Sequence, residues 1–166
     1  SFKEAIRLYI SHRESITISD AAQNKLKECE RSAGRETLSE DARSTLFNKY
    51  ASAVSGFEQA LELWSENSSA LNGKGAARRA YATAALQAQD LSLAQAQASQ
   101  LDAESDETRS LLARISQAKI AREGQESAAR RARKGLFAAV VVIVAGLTGG
   151  LLLTNSLKNQ ALDAET

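Results

Sequence analysis

The sequence predicts an all-α chain, in which antiparallel helix pairs are followed by a long helix that leads into a single transmembrane helix. Three observations carry this. The 166 residues include no proline, and Ala, Gln, Glu, Arg, Leu and Ser dominate, residue types that lose little on entering a helix. Tyr50, Val54, Phe57, Leu61 and Trp64 recur at spacings of four and three, one face of an α-helix. Residues 136–153 read LFAAVVVIVAGLTGGLLL, apolar apart from Thr148. At 1.5 Å per residue this run covers about 27 Å, close to the hydrocarbon core of a bilayer. β-Branched residues are sparse outside that late run, which argues against a sheet.

The elements follow in order. Phe2, Ile6, Tyr9, Ile10 and Arg13 form the stripe of a first helix. The run SITISD (15–20) concentrates β-branched residues and divides it from a second helix, with Ser19 or Asp20 as cap and Ala22, Leu26 and Cys29 on its face. Residues 1–38 are therefore predicted as a helical pair. Gly34 suits a helix end, and Ser39 before Glu40 and Asp41 suits a helix start. The Tyr50–Trp64 stripe is broken by SENSS (65–69), where Asn67 or Ser68 caps the next helix. That helix presents Leu71, Gly75, Arg78, Ala82, Ala85 and Leu86. Asp90 caps a short helix bearing Leu91, Ala94, Ala98 and Leu101. Ser105 opens the last, with Leu111, Leu112, Ile115 and Ala118. Residues 39–104 form the repeat region, 105–134 a basic juxtamembrane helix, 135–154 the span, and 155–166 a short tail on the far side.

Function classes narrow quickly. A formal net charge of +1 argues against nucleic-acid binding by the whole chain. The single cysteine, Cys29, has no partner for a disulfide or a zinc site, and the single histidine, His12, makes no triad or metal cluster. Gly73-Lys74-Gly75 is not a phosphate loop: Ser68 stands where the first glycine is needed, and Gly75 where a Ser or Thr is needed. The segment is thus expected to be non-catalytic, without cofactor or metal. The absence of methionine predicts a piece of a longer protein.

The residues YASAVSGFEQALELWSENSSALNGKGAARRAY (50–81) resemble a tetratricopeptide repeat. Ala53, Phe57, Ala60 and Leu61 match the A-x-x-x-F-x-x-A-L core of its second helix. Leu71 and Gly75 fall where the next repeat places a large apolar and a small residue, and Ala94 matches the start of that repeat's second helix. These seven residues are the expected helix-crossing contacts, with Gly75 small because a neighbouring helix crosses there. The usual proline is missing, and the helix after Ser69 is about two turns too long. The array is therefore divergent.

The larger order is similar to the middle of large bacterial membrane-anchored serine/threonine protein kinases, which often carry WD-type repeats after the span. The resemblance covers about residues 1–155. No H-R-D, D-F-G or A-P-E motif is present, so any kinase chemistry lies upstream.

What this implies is a membrane-tethered helical module that binds protein partners on the cytoplasmic side. The solenoid analogy offers Asn67, Asn72, Lys74, Arg78, Arg79 and Tyr81 to a partner. Arg130, Arg131, Arg133 and Lys134 precede the span and orient residues 1–134 to the cytoplasm, with attraction to anionic lipid. Gly146 and Gly150 form a G-x-x-x-G through which two spans would associate as a homodimer. The alternative is a passive spacer that relays the position of an upstream enzyme domain to the span.

Overall fold

The computed structural model describes residues 1–33, 39–131 and 133. They form helices joined by turns and short connections, with no strand among the described residues. The chain divides into two compact units, Ser1–Lys119 and Ile120–Thr166. The first unit contains α1 (Phe2–Ala33), α2 (Glu40–Leu63), α3 (Ser68–Gln87) and α4 (Leu91–Ala98). Residues 106–119 add a helix, α5.

Three caps start the helices where the sequence places them. The Ser39 side chain accepts from the Ala42 amide, Asn67 from Ala70 and Asp90 from Leu93. Each satisfies one amide that the first helical turn leaves without a partner.

The predicted pair over 1–38 is instead one helix of 32 residues. SITISD does not break it, and neither Ser19 nor Asp20 is a cap. The serines of this run face inward and are bonded. Ser15 Oγ donates to the Ala60 carbonyl at 2.7 Å and accepts from Asn67 Nδ2 at 2.8 Å. Ser19 Oγ lies 3.5 Å from Ser69 Oγ, and Thr17 Oγ1 donates back to the Arg13 carbonyl. Packing against a neighbour outweighs the modest helix penalty of β-branched residues.

Ser15, Ser19, Ala22, Leu26 and Cys29 form the seam of α1, spaced four, three, four and three. Its partner is α2, which runs antiparallel. Ser11 bonds the Leu63 carbonyl, Ser15 that of Ala60, Lys25 reaches Ser52, and Lys49 reaches Glu28. Small residues bring the backbones together: a Cβ on Gly56 would stand 3.0 Å from the Ala22 Cβ. Between α2 and α3, Phe57 meets Gly73 and Tyr50 meets Tyr81, so α3 is antiparallel to α2. One cluster joins α1, α2 and α3 around Tyr50 and Phe57, and a second joins α3, α4 and α5 around Leu86, Leu91, Leu111 and Ile115.

The predicted face of α3 holds in its second half, where Ala82, Ala85 and Leu86 are buried against α4 and α5. A second buried line on α3, facing α2, was not predicted. The seam is Ala70, Gly73, Ala77, Tyr81 and Ala84, all buried. Gly75 has nothing within 4 Å of its Cβ position, and Leu71 is exposed. The close approach falls on Gly73, against the Phe57 ring. The expected contacts at Ala53, Phe57, Ala60 and Ala94 are buried, and Leu61 is half-buried against the same core.

In the second unit residues 120–131 are helical. Arg122 pairs with Glu126, and Arg130 approaches the same carboxylate. Arg130, Arg131 and Arg133 are exposed. No helix among the described residues is long and apolar enough to cross a membrane. The predicted span 135–154, the tail 155–166, Lys134, Gly146 and Gly150 lie outside the described residues, as does Gly34.

Candidate functional site

The six residues expected to meet a partner do not share one surface. Asn67 is buried at the start of α3, its amide divided between the cap and Ser15. Its role is to join three helices. Tyr81 is buried too, stacked on Tyr50 with ring centroids 5.4 Å apart and tilted against Phe47. Arg78 pairs with Glu58 of α2 at 2.5 Å and donates to Gln97 of α4 at 3.3 Å. A guanidinium committed to two neighbours braces the array and has little left for a ligand. Asn72 is exposed and Lys74 half-buried.

Arg79 is different. Its Nη1 pairs with Glu107 at 2.8 Å, while its Nε is buried with no partner among the described residues. A buried guanidinium N–H without an acceptor costs free energy, which a ligand oxygen would recover. The side chain lines a groove of about 420 Å³ formed by α1, α2 and α3. Ala76, Ala80 and Ala84 form its α3 wall, and their short side chains keep it open. Tyr50 of α2 also lines it, with Glu30 near the end of α1 and Gln87 at the end of α3 supplying the remaining polar groups.

Burial pushes the Tyr50 phenol up to about 12, with the Cys29 and Glu30 charges acting in the same sense. It therefore stays a neutral hydroxyl at physiological pH. Because an ionised Tyr50 is disfavoured in the fold, its contribution to stability is complete below pH 10 and is lost as pH rises from 10 towards 12. Burial acts on Tyr81 in the same direction. Denaturant unfolding followed across that window should show the loss, and Tyr50→Phe should flatten it.

Asn72 lies seven residues before Arg79, on the groove side of α3, and Lys74 lies on the other side. Neither lines the groove. Glu30, Tyr50 and Gln87 carry no local signal that marks them for a site. Three helices bring them together, and their spacing in sequence is irregular.

Other reactive groups are occupied structurally. Cys29 is fully buried, and burial raises its thiol above the ordinary value, the opposite of what a nucleophile needs. His12 stacks on Trp64, ring centroids 4.3 Å apart and 22° between planes.

The first unit is thus a helical array with an arginine-bearing groove between its helices. No family model matches the chain, and no curated protein or solved structure matches it either.

Proposed function

We propose that this chain is a non-catalytic, membrane-tethered protein-interaction module, built as a divergent tetratricopeptide-like array. In this reading residues 1–134 stand on the cytoplasmic side, the span is 135–154, and the parent is a bacterial receptor-like serine/threonine kinase. The helix arrangement supports the array: α1 and α3 each run antiparallel to α2, so they lie parallel to one another, as equivalent helices of successive repeats do. The lengths of α1 and α2, 32 and 24 residues, exceed those of a standard repeat and account for the divergence.

The observation that carries the binding role is the groove at Arg79, whose buried Nε has no acceptor among the described residues. A partner offering an acidic side chain would supply that acceptor and a counter-charge together. Reversal at the groove, Arg79→Glu, should reduce recovery of cytoplasmic partners in a pull-down about tenfold or more, the loss of roughly one charge-assisted hydrogen bond. Lys74→Glu, on the other side of α3, should leave recovery intact. Equal recovery with both variants, each folded by circular dichroism, would sink the assignment.

A further inference from the structure

Residues 2–10 of α1 have no covering in their own unit. Ser11 Oγ bonds the carbonyl of Leu63, the last residue of α2. Residues 2–10 therefore project past the end of α2, and all are exposed. They are not polar. Phe2 is 82 % exposed, Tyr9 66 %, Ile10 55 % and Ile6 43 %, and Ile16 follows at 47 %. Phe2, Ile6, Tyr9, Arg13 and Ile16 are spaced four, three, four and three, the period of a helix seam. At 100° per residue this stripe points away from the Ser15–Ser19–Ala22 seam that meets α2. One helix thus carries two apolar faces, and only one is used within the unit. Contiguous exposed apolar surface of this kind marks a binding face.

We infer that this stripe docks a second copy of the same chain, α1 against α1, with the two helices antiparallel about a two-fold axis near Tyr9. The charges along the stripe choose both the partner and the direction. Lys3 and Glu14 flank it on the same side, and Arg13 interrupts it. In a parallel pair Arg13 would face Arg13 on the seam, while Lys3 and Glu14 of the two copies would stand on opposite edges with no opposite charge to meet. Like charges opposed on a seam are unfavourable. In the antiparallel pair Lys3 of each copy lies beside Glu14 of the other, twice by symmetry. Phe2 then lies against Ile16 of the second copy, and Arg13 comes beside Phe2 and Ile6, where its guanidinium can rest on the aromatic ring. An isologous contact of this kind closes on itself and stops at two copies. It uses neither the Arg79 groove nor the residues of the predicted span.

Cysteine pairing in the full 166-residue chain tests this. Cys29→Ala removes the native thiol, and differently tagged chains carrying Lys3→Cys or Glu14→Cys are mixed in mild detergent and oxidised. The Lys3→Cys/Glu14→Cys disulfide is expected in about tenfold excess over the Lys3→Cys homodisulfide, because the antiparallel register sets position 3 beside position 14 of the other copy and holds the two positions 3 apart. Adding Ile6→Asp to both chains should abolish the mixed disulfide with helicity unchanged, because Ile6 touches no core. A dominant Lys3→Cys homodisulfide would overturn the antiparallel pairing. Absence of any disulfide, or one indifferent to Ile6→Asp, would overturn the second copy as occupant and leave the stripe to a different protein or a lipid surface.

Discussion

Phe57→Ala should lower the unfolding free energy of the first unit by about 3–5 kcal/mol, the usual cost of emptying a large aromatic site. The ring is fully buried in the cluster that joins α1, α2 and α3, and it lies against Gly73 of α3. Its neighbours cannot collapse into the void, because the facing α3 residues are already alanine and glycine. Chemical denaturation followed by circular dichroism measures the change. A loss below about 1 kcal/mol would mean that α3 is not seated on this ring.

Gly73→Leu should be nearly as damaging, for the opposite reason. A Cβ at position 73 already overlaps the Phe57 ring, with even Cδ1 at 2.9 Å. The ring is held on all sides, so the backbones must separate, at about 1–3 kcal/mol or more for overpacking. Gly75→Ala, two residues along the same helix, meets open space. It should raise stability by up to about 1 kcal/mol through helix propensity alone. The sharper check combines the two core changes. In a Phe57→Ala background the vacated ring volume receives the leucine side chain that Gly73→Leu introduces. The double variant should therefore be more stable than the sum of the single losses predicts. Strict additivity would show that the two positions are not in contact.

The contrast between the two glycines shows where sequence reading stops. Ser39 and Asp90 were legible as caps, and the α3 cap was narrowed to Asn67 or Ser68, because capping is local: a short oxygen-bearing side chain serves an amide three residues on. The α2 face was legible at Tyr50, Val54 and Phe57 because large apolar residues stood out against charged ones. On α3 both faces carry alanine, and the inward line Ala70, Gly73, Ala77, Ala84 differs little in hydrophobicity from the outward one. Of the two leucines on the predicted stripe, Leu71 is exposed and Leu86 is buried. A seam made of small residues is chosen by the shape of what lies opposite, here the Phe57 ring, and a single strand of sequence does not contain that shape.

The continuity of α1 has the same origin. Local propensity favours an interruption at SITISD, and the hydrogen-bond partners that satisfy its serines belong to Ala60, Asn67 and Ser69, about fifty residues away. The groove is more distant still from local signals, since Glu30, Tyr50 and Arg79 come from three different helices. Propensity, capping and large-residue periodicity act within a few residues, so the all-α class, the helix starts and the apolar face of α2 can be read along the chain. The length of α1, the glycine at the helix crossing, the arginine that stands at a groove and the apolar stripe of α1 left open are of another kind. Each depends on the element that packs against it, so each is set only when the helices meet.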